Sequence, residues 1–405
     1  MIRVLSGSAT RLPWPDNYFD AVITDPPYYD NVPYSDLSDF FYVWLKRTVG
    51  HLYPELFSTP LTPKGEEMVA DASGAGGMVE AKKRFESMLT QAFGEIRRVL
   101  KPEGIAVIVF AHKTTEAWES VIRALLEAGF YMTASWPIHT EMTTRLRARQ
   151  PAALASSIYM VCRKRVGSEV GDYTQIRKEI ANRIREKLAQ FWEEGIRGAD
   201  FFMSAIGPAV EVFGRYQTVE KLSGEEVTVP ELLEDVRREV ARFALERILQ
   251  QSEIGGIDSP SRLYLLWRWT FGQAWVPFDE ARKLAVSVGV ELTAFWGEGG
   301  IVKKDKEFVQ MLAPQDRAKD PRFQKQQNFT TMVDALHRGV ILREKGHLAE
   351  LKEHLESTYG GNSQFWHFAQ AVAEVLPEGS KEKQQLEGLL YSSRSLGADK
   401  QGRLF

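Results

Sequence analysis

A short polar and aromatic stretch near the start of the chain, Thr24-Asp25-Pro26-Pro27-Tyr28, directly follows the apolar run Ala21-Val22-Ile23. The Asp25 carboxylate and the Pro26 carbonyl can each accept a hydrogen bond from an exocyclic amine, and prolines bring no competing N–H group. Two such bonds would localise the nitrogen lone pair for attack on an activated methyl group. Stacking of a base on Tyr28 would add roughly 1–3 kcal/mol. The pattern therefore predicts methylation of a planar, weakly nucleophilic amine.

The same four residues, Asp25–Tyr28, could instead close a strand and begin a loop, because prolines often mark turns. The surrounding sequence favours the chemical interpretation, since polar and aromatic residues continue through Tyr29, Asp30, Asn31 and Tyr34. We therefore expect Tyr29, Asn31 and Tyr34 to contact the substrate.

Short apolar runs alternate with helical periodicity around this motif, in the first 165 residues, and predict an α/β sheet. The largely apolar runs Asp20–Thr24 and Ile105–Phe110 predict strands buried on both faces. Open α/β sheets bind ligands at the carboxyl ends of their strands, so Asp25 and Tyr28 should stand in the ligand crevice. Residues Lys101–Gly104 should end the preceding helix. Two helices and two further strands are predicted at Phe85–Leu100, Thr115–Ala128, Phe130–Trp136 and Ser157–Cys162.

An insertion, residues 30–84, separates the first strand from the next predicted helix of the sheet. It contains an aromatic-rich helical segment, Ser38–Arg47, and a loop rich in Gly, Ala and Ser at Asp71–Gly77. Aromatic side chains in such a helix could stack on bases, but at helical spacing they usually serve a core. We therefore expect four of them to pack the insertion onto the sheet: Phe40, Phe41, Tyr42 and Trp44.

From residue 167 onwards the pattern is mostly helical, with charged and apolar residues interleaved at helical spacing. The sequence thus predicts two domains, 1–166 and 167–405, with a candidate subdivision of the second near 313–322. Six helices are predicted there: Tyr173–Glu193, Pro230–Gln250, Ser261–Phe271, Phe278–Val288, Phe329–Lys345 and Gln364–Leu376.

One part of this region also has a second interpretation. Phe278–Glu291, followed by the lysine-containing segment Ile301–Met311, is compatible with a helix-turn-helix with a β-wing. The spacing is loose, and plain helical packing is the favoured interpretation.

Composition excludes several classes of protein. With a net charge of -3, the chain is not a globally basic nucleic-acid binder, so any DNA contact needs a local patch. The single cysteine, Cys162, excludes an internal disulfide framework and a multi-cysteine zinc site, and fits a reducing cytoplasm. The seven histidines lack ligand spacing, so no metal is expected. No apolar run of about 18 residues is present, so no membrane span is expected.

The extended stretch Thr24–Arg47, TDPPYYDNVPYSDLSDFFYVWLKR, resembles the catalytic segment of the amino-methyltransferases. More narrowly, it is similar to that of the large adenine-specific DNA methylases. The resemblance continues in His139–Arg165, Asp200–Tyr216 and Thr331–Leu342, and so covers nearly the whole chain.

This resemblance implies that Asp25, Pro26, Pro27 and Tyr28 form the catalytic motif. It also implies S-adenosylmethionine as the methyl donor and adenine in DNA as the substrate. The implied fold is an incomplete Rossmann-like S-adenosylmethionine-dependent methyltransferase sheet, followed by a helical C-terminal region.

The donor-binding part of that family's pattern is missing. Such enzymes hold the donor with a glycine-rich loop after an earlier strand, whereas Gly7 stands alone among the residues before Asp20. The segment Gly7-Ser8-Ala9 instead resembles a later loop that contacts the donor's adenine ring, where the family tends to have Gly-Asp-Ala. The resemblance thus implies Ser8, Ala9 and Asp25 as donor contacts.

The chain therefore resembles the C-terminal part of such an enzyme. We expect a separate N-terminal methyltransferase half, or an upstream segment, to supply the donor site. A sheet without its first strands has an exposed edge that invites pairing or aggregation.

The most basic stretch of the chain includes Arg145, Arg147 and Arg149, together with Arg163–Arg165. Phosphate contact beside the active site is one interpretation, and a solvated loop with a charged strand end is the other. His112 should lie near the crevice, but no catalytic role is expected for it.

Three functions stay open at this point. The first is an adenine-specific DNA methyltransferase, which the Asp at the first motif position favours. The second is an inactive remnant or a DNA-binding module. The third is an amino-methyltransferase that acts on cytosine or on a protein amide.

Overall fold

The computed structural model describes most of the chain as two units, each of which we describe by itself. The described residues are 7–27, 33–70, 77–112, 114–139, 156–250, 254–359 and 362–395. The first unit comprises the described parts of 1–140 with Ser156–Ile180 and Gly207–Pro230. The second comprises Ala181–Ile206 and the described parts of 231–405.

The described residues form nine strands and fifteen helices, besides short 3-10 turns. The strands are β1 (Phe19–Thr24), β2 (Leu100–Phe110), β3 (Phe130–His139), β4 (Ser156–Lys164), β5 (Val170–Asp172), β6 (Thr218–Glu220), β7 (Val276–Pro277), β8 (Val302–Asp305) and β9 (Phe308–Met311). The helices are α1 (Tyr34–Val49), α2 (Met78–Val99), α3 (Thr115–Glu127), α4 (Tyr173–Glu193), α5 (Gly198–Ser204), α6 (Ile206–Phe213), α7 (Val229–Leu249), α8 (Ser259–Phe271), α9 (Phe278–Ser287), α10 (Pro314–Arg317), α11 (Pro321–Lys325), α12 (Met332–Glu344), α13 (Leu348–Ser357), α14 (Ser363–Val375) and α15 (Lys381–Ser395). The chain is thus mixed α/β with a mostly helical content, as the sequence predicts at that level.

The main sheet of the first unit has four strands in the order β1-β2-β4-β3. β1 runs parallel to β2, and β4 runs antiparallel to both β2 and β3. β1 and β3 are therefore the edge strands, and β1, β2 and β3 all end on the same side of the sheet.

One face of this sheet is covered over its two central strands, β2 and β4. Ala106, Ile108 and Phe110 on β2 are inaccessible to solvent, and so are their neighbours on β4. α2 and α3 pack against each other and against the sheet, and the Trp118 ring of α3 meets Phe110 edge-on at 5.0 Å between centroids. The core of the first unit lies between this face and the two helices.

The other face is largely uncovered, and the prediction that the strands are buried on both faces is wrong. Ile23 on β1 is 74% exposed and Trp136 on β3 is 56% exposed. Val107 and Val109 on β2 are only half-buried. An apolar run predicts that both faces of a strand are buried, but it does not show whether other elements of the chain pack on both faces.

The start of β2 also differs from the expected one. Residues Lys101–Gly104 do not simply end a helix, because β2 already begins at Leu100 and bulges at this point. Phe19 pairs with Leu100, and Ala21 pairs with Ile105. A Cβ on Gly104 would lie 2.9 Å from the carbonyl oxygen of Asp20, so the close approach of the two backbones requires glycine.

The second unit is built mainly from helices, and the six helices predicted after residue 167 are all present, with shifts of at most a few residues at their ends. It also contains a small antiparallel sheet of three strands in the order β7-β9-β8. No helix in the described parts of the chain is long and apolar enough to cross a membrane.

Candidate functional site

The acidic motif lies at the carboxyl end of a parallel strand pair. Thr24, the last residue of β1, is the register partner of Ile108, two residues before the end of β2. Asp25 follows with an exposed side chain, while Pro26 is buried and Pro27 is half-buried. The strand and the buried proline thus fix the backbone, and the carboxylate stays accessible to a ligand.

The aromatic part of the motif is only partly described. Tyr28, Tyr29 and Asn31 lie outside the described residues, so their contacts stay predictions. Tyr34 is the first residue of α1, and about half of its surface is exposed. Its predicted substrate contact likewise stays a prediction.

His112 follows β2 at the same end of the sheet and is a buried, hydrogen-bonded residue. Its Nδ1 accepts from the Thr114 backbone N–H at 3.1 Å and lies 2.8 Å from the Thr114 hydroxyl. Its carbonyl oxygen accepts from the Trp118 indole N–H at 2.9 Å. The residue is only 4% exposed, so it is better placed to support the strand end than to take part in chemistry.

The loop that carries Ser8 and Ala9 is anchored at the other end of β1. The Ser8 hydroxyl lies 2.8 Å from the Thr10 hydroxyl and accepts from the Thr10 N–H, so it stabilises its own turn. The backbone N–H of Leu12 donates to the Glu95 carboxylate of α2 at 2.8 Å. The structure does not show Ser8 or Ala9 beside Asp25, and their role as donor contacts stays a prediction.

An ion pair on α2 holds this loop in place. The Arg98 guanidinium donates to the Glu95 carboxylate and to the carbonyl oxygens of Leu12 and Trp14, all within 3.0 Å. Arg98 keeps the pKa of Glu95 at about 2, and the bond from Leu12 acts in the same direction. The loop is therefore tied firmly to α2 even though it is largely solvent-exposed.

Only part of the predicted basic stretch lies among the described residues. Arg145, Arg147 and Arg149 lie outside the described residues. The strand ends that flank them, His139 and Ser156, pair with each other on the side of the sheet where Asp25 follows β1.

The second half of that stretch lies at the opposite end and has structural partners. Arg163 donates to the Glu103 carbonyl at 2.9 Å, and Lys164 donates to the Asn17 side chain at 2.9 Å. Arg165 donates to three backbone carbonyls, those of Leu126, Gly214 and Tyr216. These three cations therefore do not contribute to a phosphate site beside Asp25.

The aromatic residues of α1 do not pack the insertion onto the sheet, which corrects the prediction. Phe40 is 66% exposed, Phe41 65% and Trp44 55%, and α1 has no buried residue. Tyr42 is half-buried, and its hydroxyl donates to the Thr59 carbonyl at 2.9 Å. Aromatics at helical spacing predict a covered face, but in the described chain this face has no cover.

A pocket of about 620 Å³ lies in the first unit, away from the motif. Its lining includes Arg123 and Leu126 near the end of α3, Arg165 after β4, and Tyr216 and Val227. These residues lie where β3 begins and β4 ends, on the side of the sheet opposite Asp25. No motif or local pattern in the sequence predicts this pocket.

Among the residues with described positions, no group of three or more His, Cys, Asp or Glu side chains is arranged to hold a metal ion. Comparisons with models of known protein families, with curated proteins and with solved structures found no match to this chain.

Proposed function

We propose that this chain carries the catalytic motif of an S-adenosylmethionine-dependent DNA methyltransferase that acts on the exocyclic amine of a flipped adenine. The observation that carries this proposal is the position of Asp25. Its carboxylate is exposed directly after a parallel strand, and the buried Pro26 fixes the backbone beside it. Ligands of open α/β sheets bind at this end of the strands.

The residues of the motif suit the chemistry of a weakly nucleophilic amine. The Asp25 carboxylate and the Pro26 carbonyl accept the two N–H groups of the amine, which localises the nitrogen lone pair. S-adenosylmethionine, when bound, supplies an activated methyl group. Transfer of that group would form the N–C bond as the donor's C–S bond breaks, and the methylated nitrogen would then release one proton to water. Stacking on Tyr28, worth roughly 1–3 kcal/mol, offsets part of the few kcal/mol that base flipping requires.

The strand order supports the same proposal. In the order β1-β2-β4-β3, β1 and β2 are parallel neighbours. β3 runs parallel to them on the far side of the antiparallel β4. The later half of a doubly wound sheet likewise consists of parallel strands with the ligand crevice at their carboxyl ends, whereas here the antiparallel β4 separates β2 from β3. A glycine-rich donor loop has no counterpart in the described residues of this unit.

The uncovered sheet face supports a second part of the proposal, that another polypeptide or an upstream segment supplies the donor-binding half. Parallel strands are normally covered on both faces. Here the face that carries Ile23, Val107 and Trp136 is largely uncovered. The outer edge of β1 has no pairing strand among the described residues. A partner that adds a parallel strand beside β1 and a helix over these residues would complete the sheet. Pairing of two copies edge to edge would leave the face bare.

Identification of the methylated product tests the proposal and separates it from its alternatives. The chain, together with the polypeptide that supplies the donor loop, is incubated with labelled S-adenosylmethionine, DNA and protein. We expect N6-methyladenine, because an Asp at the first motif position favours adenine. N4-methylcytosine or a methylated protein amide would establish the alternative target instead, and no transfer at all would support an inactive remnant.

The chain by itself should bind the donor poorly, because the residues printed before β1 contain Gly7 alone and no glycine-rich loop. Titration calorimetry of the isolated chain with S-adenosylmethionine should show no saturable heat. Saturable, tight binding would contradict a donor site shared with a second polypeptide.

A further inference from the structure

The second unit contains a β-hairpin, which we call the wing hairpin, formed by β8 and β9. Val302 pairs with Met311 and Asp305 pairs with Phe308, so the tip is the two-residue turn Lys306-Glu307. β7 adds a third strand on the β9 side. The elements run helix, strand, helix, turn and hairpin, which is the order of a helix-turn-helix domain with a wing.

The segment between α9 and the wing hairpin departs from that arrangement. Where a recognition helix would stand there is one 3-10 turn, Leu292–Phe295, of four residues. Such a turn is too short to read bases from the major groove. The wing hairpin remains as a surface of this substructure that can contact a duplex.

The wing hairpin presents three lysines: Lys303, Lys304 and Lys306, all exposed. Lys304 lies with its Nζ 4.6 Å from the centroid of the Trp296 ring, and the Lys303 Nζ lies 5.9 Å from that of Trp275. These ring contacts restrict the two long side chains, so less rotamer freedom is lost when their ammonium groups bind an anion.

Two acids, Asp305 and Glu307, share the hairpin with the lysines, which leaves a local excess of one positive charge. Within the described parts of the chain, no ion pair joins either acid to a lysine of the hairpin. The ammonium groups are therefore available to an external anion.

The backbone at the tip is unusual. Lys306 has φ of 52°, in the left-handed region where Gly, Asn or Asp is the less strained choice. Lys303 and Lys304 each contact an aromatic ring, whereas Lys306 has no aromatic contact in the described structure. Lys306 is exposed at this tip, so its ammonium group is accessible to a phosphate.

We propose that the wing hairpin binds the phosphate backbone of duplex DNA independently of base sequence, through Lys303, Lys304 and Lys306. The proposal rests on the proposed function only for the choice of DNA as the nucleic acid. It adds a positioning surface in the second unit, separate from the motif at Asp25.

The test measures binding of the full chain to a short fluorescein-labelled duplex by anisotropy, at several salt concentrations. Phosphate contacts release counterions, so each lost lysine contact lowers the salt slope of log Kd by about one unit. We expect the triple substitution Lys303→Gln, Lys304→Gln, Lys306→Gln to weaken binding and to lower the slope by about three units. The matched control changes three exposed lysines elsewhere in the same unit, Lys319→Gln, Lys325→Gln and Lys381→Gln, and should keep the wild-type slope.

Two further variants separate binding from folding. Lys306→Gln touches no ring and should lower the slope by about one unit with an unchanged Tm. Arginine at all three positions should keep the wild-type binding. An equal slope in the triple variant and the wild type would overturn the proposal, and so would an absence of DNA binding by the wild type at low salt. If methyl transfer fails while the lysine substitutions still lower the salt slope as expected, the proposed function alone is overturned.

Discussion

Ile23 on β1 and Val107 on β2 are register partners on one face of the sheet, and neither is buried. Ile23 has 74% of its surface exposed, although it lies in an apolar run, Ala21–Ile23, that is typical of a core strand. The two residues mark a sheet face whose cover is not provided by the described chain. That face and the unpaired edge of β1 together form the surface at which a partner would bind.

Substitution of Ile23 tests whether this surface drives association. Ile23→Lys places a charge on the exposed face and edge, which discourages strand addition. We expect less self-association of the isolated chain in sedimentation velocity, at an unchanged Tm, because almost no burial is lost. Leu222→Lys, at an exposed turn position of the same unit, is the control and should change neither quantity. A wild-type chain that is monodisperse at all concentrations would contradict this account of the surface.

The contact between α6 and β3 gives a stability prediction for the first unit. A Cβ on Gly207 would lie 1.9 Å from the Ser135 Oγ and 2.3 Å from the Ser135 Cβ, so a rotamer change cannot relieve the clash. We expect Gly207→Ala to lower the free energy of unfolding by about 1–3 kcal/mol in urea titrations.

A double-mutant cycle identifies the cause. Ser135→Gly removes both clashing atoms and should recover much of the loss in the Gly207→Ala background. Gly94→Ala is the matched control, because Gly94 lies in α2 with open space around it and should stabilise by about 0.5–1 kcal/mol. Equal stability of Gly207→Ala and the wild type would show that the helix does not approach the strand this closely.

A buried polar cluster in the second unit makes its stability depend on pH. His337 is fully buried, and its Nδ1 lies 3.3 Å from the Arg317 guanidinium. Arg317 itself forms an ion pair with Asp334 at 2.7 Å. Burial lowers the pKa of His337 well below 6.5, and the charges of Arg317 and Arg268 lower it further.

The direction of the pH effect follows from that lowered pKa. The unfolded chain takes up the proton near the ordinary pKa of histidine, whereas the folded chain does not, so stability falls as the pH drops below about 6.5. We expect the urea midpoint to decrease between about pH 7 and about pH 5, and the decrease to be smaller in His337→Gln. His51→Gln, at an exposed position, should retain the full decrease. An identical pH profile for His337→Gln and the wild type would rule out this role.

Local patterns in the sequence predicted the elements well. α4 has the predicted bounds Tyr173–Glu193, and α3 begins at the predicted Thr115. Gly129, directly after the predicted helix Thr115–Ala128, has φ of 79°, the left-handed conformation that glycine adopts without strain where a helix ends. Helical periodicity and glycine stops are properties of a few neighbouring residues, so they can be recognised without knowledge of the packing.

Burial and long-range contacts could not be predicted in this way. The apolar run at β1 and the aromatic stripe of α1 each predicted cover, but cover depends on elements far away in the chain or in another chain. The approach of Gly207 to Ser135 also leaves no local signal. At the site, the position of Asp25 after a parallel strand follows from a local rule, whereas the anchoring of the Ser8 loop by Arg98 depends on the fold of α2.

The role of Asp25 is tested directly by methyl transfer to adenine in the Asp25→Ala variant, assayed with the polypeptide that supplies the donor loop. Asp20→Ala is the matched control, because Asp20 is an exposed acid in the first half of the same strand and pairs with Lys101 on the surface. We predict that Asp25→Ala abolishes N6-methyladenine formation with an unchanged Tm, while Asp20→Ala keeps the wild-type rate. Methylation by Asp25→Ala at the wild-type rate would contradict the assigned role of the motif.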